Sequence, residues 1–200
     1  MKKILLVGAA GTIGRAVAEN LGARHQILDA GRSSADHRVD LTSDRSVAAL
    51  LDAVGPLDAI VSTAGGLHLG PLAEMSAEQF NAGLQAKLLG QVRLALLGQR
   101  FLNDGGSITL TASVDSIEPI RQGVNAATVG AALEAFALAA AIELPRGLRI
   151  NVVSPTLLTE SVASFGALFP GVETVSAERV ARAYQRSVEG AQTGRVYRVM

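Results

Sequence analysis

The chain contains no cysteine and no tryptophan, and aromatic residues account for only 4% of its 200 residues. Without cysteine, disulfide bonds, thiolate metal ligands and a cysteine nucleophile are excluded, and we expect no metal site. Neither sign of charge is in excess, because 18 lysines and arginines balance 18 aspartates and glutamates. A protein without net charge has no field that would hold nucleic acid or an anionic membrane, so we expect neither partner. The lack of cysteine also suits a cytoplasmic protein, although it leaves the redox compartment open.

Long hydrophobic runs are scarce as well. The longest nearly apolar stretch spans 131–142, but Glu134 interrupts it and Glu143 closes it. Because a membrane-spanning helix needs about 20 apolar residues, this stretch predicts a buried helix. The apolar run after Lys2 and Lys3 is too short for a secretory signal and gives way to glycines. No segment has the composition of a linker, so we expect a single domain over 1–200.

The most informative motif is the glycine-rich segment 8–14, which follows an apolar run and precedes a helical pattern. Its glycines, at positions 8, 11 and 14, remove side chains where the backbone turns tightly and approaches a diphosphate. A helix that begins there directs its N–H groups and the positive end of its dipole at that anion. The segment therefore predicts a dinucleotide site, with close helix–strand packing as the simpler alternative.

Strands and helices alternate along the rest of the chain. Apolar runs predict strands over 4–7, 25–30, 38–41, 57–62, 107–111, 148–153 and 195–199, and helical periodicity predicts helices over 15–21, 44–54, 76–101, 125–144 and 176–189. This order predicts an α/β fold, a Rossmann-type doubly wound parallel sheet with helices on both faces. Ligands of such sheets bind beyond the carboxyl ends of the strands.

With these elements in order, the chain resembles the short-chain dehydrogenase/reductase family along nearly its whole length. Thr63-Ala64-Gly65 is similar to the family's Asn-Ala-Gly after the fourth strand, and the segment 149–156, RINVVSPT, is close to RVNAVSPG. The spacing of the glycine-rich turn is nearer to the GxxGxxG of the extended members. The resemblance implies a nicotinamide cofactor bound by Gly8, Gly11, Thr12, Ile13, Gly14, Arg32, Ser33, Asp40, Leu41, Ala64, Gly65, Pro155 and Thr159. In this family Asp40 would meet the adenine amino group and Thr159 the nicotinamide carboxamide.

The end of the second predicted strand favours NADP(H) over NAD(H). An NAD-selective site places a carboxylate there, whereas this chain has Gly31 followed by Arg32, Ser33 and Ser34. A guanidinium and hydroxyl groups suit a 2′-phosphate. Asp29, two residues earlier, would favour NAD(H) instead if the strand ended sooner.

The expected catalytic residues are mostly missing. Family members carry a Ser, a Tyr thirteen residues later, a Lys four beyond it, and an Asn on the preceding long helix. Alignment puts Ser113, Ala126, Gly130 and Lys87 at these four positions, so only the Ser is retained. In the family the Tyr protonates the substrate carbonyl and the Lys lowers its pKa, which neither replacement can do. The chain's two tyrosines, at 184 and 197, do not lie where they would replace it.

Two functions follow from this departure. The first is an NADP(H)-dependent oxidoreductase with an altered site, in which Ser113 and Lys87 act on an electrophilic small molecule such as a quinone or activated carbonyl. The second is an NADP(H)-binding sensor without turnover. We expect Lys87 to fill part of the volume left by the missing Tyr and Lys and to place a cation near the nicotinamide ribose. The simpler interpretations are a solvated Lys87 and a Ser113 bonded only to backbone.

Three further residues fall near the predicted pocket. His68 would lie over it in the loop 66–70, although a plain surface histidine is the simpler interpretation. Arg121 and Asn125 flank the pocket, and nothing local distinguishes either from a surface residue.

Of the two long predicted helices, 76–101 and 125–144, the second is apolar almost all round. One of its faces packs on the sheet, and another still needs cover. The resemblance implies that such helices pair across a twofold axis. We therefore expect a homodimer or homotetramer.

Overall fold

The computed structural model describes residues 1–33 and 36–200, so Ser34 of the predicted phosphate-binding group lies outside the described residues. Within these residues, seven parallel strands form one sheet in the order β3-β2-β1-β4-β5-β6-β7. The strands are β1 Lys3–Val7, β2 Gln26–Gly31, β3 His37–Arg38, β4 Leu57–Ser62, β5 Leu102–Thr111, β6 Arg149–Pro155 and β7 Arg195–Val199. The helices are α1 Thr12–Gly22, α2 Asp44–Val54, α3 Ala77–Gly83, α4 Gly90–Gly98, α5 Val124–Glu143, α6 Val162–Phe165 and α7 Ala177–Glu189.

Hydrophobic side chains of the described residues form one cluster on each face of the sheet. On one face, Leu50 of α2, Leu94 of α4 and Leu133 of α5 pack on the strands. On the other face, Leu21 of α1 and Val180 of α7 do so. The strand order reverses between β1 and β4, which is the switch point where such sheets bind ligands. The predicted doubly wound α/β fold is confirmed.

The predicted helix 76–101 is helical along its length, but it is not a regular α-helix throughout. It begins as expected, because Ser76 Oγ accepts from the Gln79 amide and Gln79 Oε1 accepts from the Ser76 amide. A π-helical turn, Leu84–Leu89, then separates α3 from α4, and a 3₁₀ turn completes the segment at Phe101. Such π turns widen the helix locally and are frequent at functional sites. Lys87 lies inside this one.

Two strands differ from their predicted bounds by more than two residues. The third strand is only His37–Arg38, because the Asp40 carboxylate accepts from the Thr42 amide at 2.9 Å and turns the chain toward α2. Strand β5 begins at Leu102, before the glycine turn that was expected to precede it. Gly105 lies within β5 with φ +73°, where the pairing with β4 shifts register.

Helix α5 is longer than the apolar stretch that predicted it. Among the described helices it alone is long and apolar enough, by length and composition, to cross a membrane. In this fold Val129, Leu133 and Ala137 are buried against the sheet, whereas Leu138 and Ile142 on the outer side are exposed. The expected burial therefore applies to one side of the helix.

Gln91 holds the carboxyl end of β5, just ahead of Ser113, against α4. Its completely buried side chain accepts from the Thr111 amide at 2.8 Å and donates to the Thr111 carbonyl at 2.9 Å. We expect Gln91→Leu to lower the free energy of unfolding by about 1–3 kcal/mol, because both backbone groups lose their partner in a buried place. Urea denaturation measures this change. Gln85→Leu, at an exposed position of the same segment, is the control, and equal stability of the two variants would contradict the prediction.

Candidate functional site

A cleft of about 340 Å³ lies at the carboxyl ends of β1, β2 and β4. Eight of the predicted cofactor residues line it, namely Gly8, Gly11, Arg32, Ser33, Asp40, Leu41, Ala64 and Gly65. These residues come from four separate turns, which follow β1, β2, β3 and β4 and which the parallel sheet brings together at one edge. Thr12, Ile13 and Gly14 form the first turn of α1 beside this cleft.

The glycine-rich turn is held by close backbone packing. Gly8 has φ +96°, and a Cβ there would lie 2.9 Å from the Ala64 nitrogen. A Cβ on Gly14 would lie 2.1 Å from the Gly8 carbonyl oxygen, so no other residue fits without moving α1. The Thr63 hydroxyl donates to the same oxygen at 3.0 Å. Packing therefore explains why positions 8 and 14 are glycine. The turn also lines the cleft, through Gly8 and Gly11.

The start of α1 can receive an anion. Gly11 is the N-cap residue and offers no side-chain acceptor, and the first turn holds no acidic residue. The leading N–H groups of a helix have no partner within the helix, and the dipole makes this end positive. A cradle of glycine backbone beside such donors suits the diphosphate of a dinucleotide.

Two charged side chains, those of Asp29 and Arg32, lie near the end of β2. This strand ends at Gly31, as the NADP(H) prediction requires, and Arg32 and Ser33 are exposed beside the cleft. Asp29 lines the cleft as well, and its Oδ1 is buried without a hydrogen-bond partner in the described structure. Burial, together with the nearby charge of Asp36, raises the Asp29 pKa. Arg32, which would favour NADP(H), and Asp29, which would favour NAD(H), therefore line the same cleft.

Hydrogen bonds from Thr42 hold the pKa of Asp40 below its usual value, with a smaller contribution from Arg32. Besides the amide, the Thr42 hydroxyl donates to Asp40 Oδ1 at 2.8 Å. The Asp40 amide donates to Ser46 Oγ, which ties the residue to α2. Asp40 thus shapes the chain before this helix and lines the cleft at the same time, so the two roles are compatible.

A second cavity of about 550 Å³ lies between the loop after β5 and the segment 167–172. Most of its walls are apolar, including Phe169, and Arg121 and Thr156 add polar groups. Pro155, at the end of β6, and Thr159 line neither cavity. The Thr159 hydroxyl donates to the Thr174 hydroxyl at 3.0 Å.

Ser113 and Lys87 both lie near a carboxylate that the sequence analysis missed. The Ser113 hydroxyl donates to Asp115 Oδ2 at 3.0 Å, and Asp115 is only 6% exposed. Lys87 packs so tightly on the turn after β4 that a Cβ at Gly65 would lie 2.7 Å from Lys87 Cα. The Lys87 side chain is half-buried, and desolvation of its ammonium group lowers its pKa, whereas the charge of Asp115 raises it. Burial raises the pKa of Asp115 itself.

A family model described as enoyl-(acyl carrier protein) reductase matches residues 14–197. The chain belongs to the short-chain dehydrogenase/reductase family. Members of this family use nicotinamide cofactors, so the predicted cofactor class is supported. An oxidoreductase of Mycobacterium tuberculosis, Rv1714, is 30% identical over 190 residues, which cover 82% of this chain and 70% of that protein. The D-threitol dehydrogenase of Mycolicibacterium smegmatis is 31% identical over 185 residues, 80% of this chain and 71% of that enzyme.

Solved structures show the same likeness. The protein lin1944 of Listeria innocua is 46% identical, with complete coverage (100%) of both chains and a TM-score of 0.99. A small-chain dehydrogenase in complex with NADPH is 26% identical, with a TM-score of 0.88 over 98% of this chain and 95% of that one.

The positions that align with the family's Tyr and Lys lie against the loop after β5. Ala126 is only 2% exposed. A Cβ on Gly130 would lie 3.3 Å from the Ser113 carbonyl oxygen, so α5 packs directly on this loop. The two tyrosines line neither cavity. The Tyr184 hydroxyl is hydrogen-bonded to the Thr111 hydroxyl, and its complete burial raises its pKa. The Tyr197 hydroxyl donates to Gln192.

The interpretation of Asn125 as a surface residue is wrong, because the residue is completely buried. Its Oδ1 accepts from the His68 amide at 3.1 Å, and its Nδ2 donates to the Phe80 carbonyl at 2.8 Å. Asn125 therefore joins α5 to α3 and to the loop that carries His68. The only sign of this role in the sequence is that Asn125 has an amide side chain in the first turn of a predicted apolar helix. His68 is half-buried and lines neither cavity.

Proposed function

We propose that the protein is an NADP(H)-dependent oxidoreductase in which Lys87 and Ser113 act in place of the family's Tyr and Lys. The observation that carries this proposal is the glycine-lined cleft with Arg32 and Ser33 at one end and Lys87 packed beside Gly65. We further propose a small-molecule substrate and a cytoplasmic location, with neither nucleic acid nor a membrane as partner. The balanced charge of the chain supports the exclusion of polyanionic partners.

Each part of the cleft has a role in cofactor binding under this proposal. The backbone of Gly8, Gly11 and the first α1 turn, Thr12–Gly14, receives the diphosphate. Arg32 and Ser33 bind the 2′-phosphate. The remaining roles follow the family pattern: Asp40 and Leu41 at the adenine and Ala64 and Gly65 at the ribose. Pro155 and Thr159, which lie outside the cleft, would meet the nicotinamide.

The chemistry needs a proton at the substrate oxygen. NADPH, when bound, supplies a hydride to the electrophilic carbon. Lys87 then donates a proton from Nζ to the oxygen that gains negative charge, and Ser113 orients that oxygen. Desolvation suits Lys87 to this role, because it lowers the pKa of the ammonium group and so eases proton release. The apolar walls of the second cavity suit a quinone or a similarly apolar activated carbonyl.

A sensor that binds NADP(H) without turnover is the second candidate. The packing of Gly130 against Ser113 supports it, because backbone comes close to the place where family members carry their Lys, with a Cβ there 3.3 Å from the Ser113 carbonyl oxygen. Such a protein would bind the cofactor through the same cleft and would use its bound state to alter contacts with a partner.

The two functions differ in what Lys87 does. We expect the parent protein to oxidise NADPH in the presence of at least one compound from a panel of quinones, diketones and aldehydes, followed by cofactor absorbance. Lys87→Met should abolish this reaction and weaken NADPH binding at least several-fold. Lys2→Met, at the opposite end of the sheet, is the matched control and should behave like the parent. Binding without turnover across the panel would favour the sensor, and a fully active Lys87→Met would contradict the role of Lys87.

Cofactor choice depends on Arg32. We expect NADPH to bind more tightly than NADH, with Arg32→Ala weakening NADPH about 10- to 100-fold and leaving NADH unchanged, because a charge-assisted contact to phosphate is lost. Fluorescence titration of both cofactors measures this, with the exposed and distant Arg100→Ala as control. Tighter NADH binding that Asp29→Asn weakens would instead assign the ribose hydroxyls to Asp29.

We also propose a homodimer or homotetramer formed through α4 and α5. A groove of about 300 Å³ runs between these helices and is lined in part by Leu96, which is 53% exposed. Elsewhere on α5, Leu138 and Ile142 are 52% and 88% exposed. Sedimentation velocity at micromolar concentration should show an oligomer that Leu96→Glu dissociates, because the interface would bury a charge. Leu72→Glu, exposed on a different segment, should leave the oligomer intact. A monomeric parent protein would contradict this proposal.

A further inference from the structure

Glu134 is the acidic residue that interrupts the apolar stretch of α5, and the proposed chemistry assigns it no role. It is only 8% exposed in this fold. A carboxylate in such a place is costly unless it is paired and hydrogen-bonded. Neighbouring buried residues of α5, such as Leu133 and Ala137, hold the helix on the sheet by apolar packing. Anchoring of the helix therefore does not by itself call for an acid at position 134.

Three side chains from three different elements meet this carboxylate. Ser116, in the 3₁₀ turn Val114–Ser116 after β5, donates to Glu134 Oε1 at 2.9 Å. Ser154, near the end of β6, donates to the same oxygen at 3.1 Å. Arg198 of β7 donates to Oε2 at 2.6 Å. One carboxyl group of α5 thus joins the ends of two central strands and the last strand of the sheet.

Gly130 lets the helix come close enough for these contacts. It lies one helical turn before Glu134, and residues four apart share one face of a helix. A Cβ on Gly130 would lie 3.5 Å from Ser116 Cβ, so any side chain at this position would press on the turn. The missing side chain at 130 and the acid at 134 therefore serve the same contact between α5 and the turn after β5.

Backbone pairing between β5 and β6 stops short of the two serines. The last bond runs from the Ala112 amide to the Val153 carbonyl at 2.9 Å, and among the described residues no backbone hydrogen bond joins the two segments beyond it. Past this point Ser116 and Ser154 are connected through Glu134 Oε1. We call these three residues the Glu134 link. The separation of the two strand ends therefore depends on a side chain from a third element.

Both segments that the Glu134 link joins contribute to the second cavity, which has a volume of about 550 Å³. Val114, two residues before Ser116, lines this cavity, and so does Thr156, two residues after Ser154. Glu134 itself lines neither this cavity nor the cofactor cleft. Any effect of Glu134 on a bound molecule must therefore act through the two segments.

We infer that Glu134 is a positioning residue, which holds the turn after β5 and the end of β6 at the separation that the second cavity needs to bind its substrate. This inference rests on the proposed function, which takes the apolar walls of this cavity as the substrate site. Buried charged groups are known to fix one geometry where apolar packing would allow several, and the Glu134 link has this role at the cavity. A merely structural Glu134 would stabilise the fold without any effect on what the cavity binds.

Binding of menadione, a two-ring quinone, tests this inference. The chain has no cysteine, so menadione cannot add to a thiol, and protein loaded with NADP⁺ binds it without turnover. We expect Ser116→Ala and Ser154→Ala each to weaken menadione binding about 3- to 10-fold by calorimetry, because each loses one hydrogen bond of the Glu134 link. The Kd of NADPH should stay unchanged, since neither serine lines the cofactor cleft. In the reaction, the KM for menadione should rise and kcat should change little.

Two further variants separate positioning from stability. Ser107→Ala is the matched control, because Ser107 Oγ is buried on β5 without a hydrogen-bond partner, beside the first residue of β6. It should bind menadione like the parent. Ser116→Thr keeps the hydroxyl group at a half-buried position and should also bind like the parent. Parental affinity for menadione in both Ser116→Ala and Ser154→Ala would overturn the inference.

Glu134→Ala gives a stricter test. It should weaken menadione binding at least as much as either serine variant, and the addition of Ser154→Ala should then have no further effect, because the link is already lost. A full second effect of Ser154→Ala in that background would contradict the inference. Should Glu134→Ala not fold, the two serine variants decide the question.

Measurements on the parent separate this inference from the proposed function. A parent that binds neither NADPH nor menadione contradicts the proposed function. Hydrogen exchange followed by mass spectrometry then tests the Glu134 link without a ligand. Amides of 113–118 and 155–158 should exchange several-fold faster in the double variant Ser116→Ala/Ser154→Ala than in Ser107→Ala, because both segments lose their connection. Equal exchange in these two variants would overturn the inference.

Discussion

The ligand-binding edge of this molecule depends on how closely three backbone segments meet at the end of β1. Gly8 lies against the exit of β4, and Gly14 lies against the Gly8 carbonyl, where even a methyl group would be 2.1 Å from the oxygen. This contact fixes the first turn of α1 beside the cleft and so fixes where its free N–H groups point. Because a packed interior transmits rather than absorbs such a displacement, a larger residue at either position would disturb the cleft as well as the packing.

Close packing at glycine residues also shapes the other side of the cleft. The π turn brings Lys87 onto Gly65, and α5 comes close to Ser113 because position 130 has no side chain. The buried Asp115 carboxylate and the half-buried Lys87 ammonium group therefore lie where an unpaired charge is costly.

Local patterns predicted most of the fold and part of the site. Strands β4 and β7 match their predicted bounds, and Ser43 and Ser76 cap the helices that follow them, because apolar periodicity and capping act over a few residues. The π turn and the burial of Asn125 and Asp115 were missed. The burial of a polar residue depends on packing between segments distant in sequence, such as Asn125 with Phe80, and single-residue patterns carry no signal for that. The resemblance to a family pointed to eight of the residues that line the cleft, but it offered no signal for Asp115, which lies in none of the motifs that carry the resemblance.

Asp29 shows how one cleft can hold groups that favour different cofactors. Its carboxyl group lines the same cleft as Arg32, and a full negative charge there would repel a 2′-phosphate. Burial raises the pKa of Asp29, however, so this carboxyl group takes up a proton more easily than an exposed one. A bound phosphate would raise that pKa further, and a protonated Asp29 would donate a hydrogen bond instead of repelling the ligand. Arg32 stays charged throughout, because a guanidinium cannot be deprotonated under these conditions. The cleft therefore holds a guanidinium group and a carboxyl group that the ligand itself can neutralise, and this asymmetry supports the proposed preference for the phosphorylated cofactor.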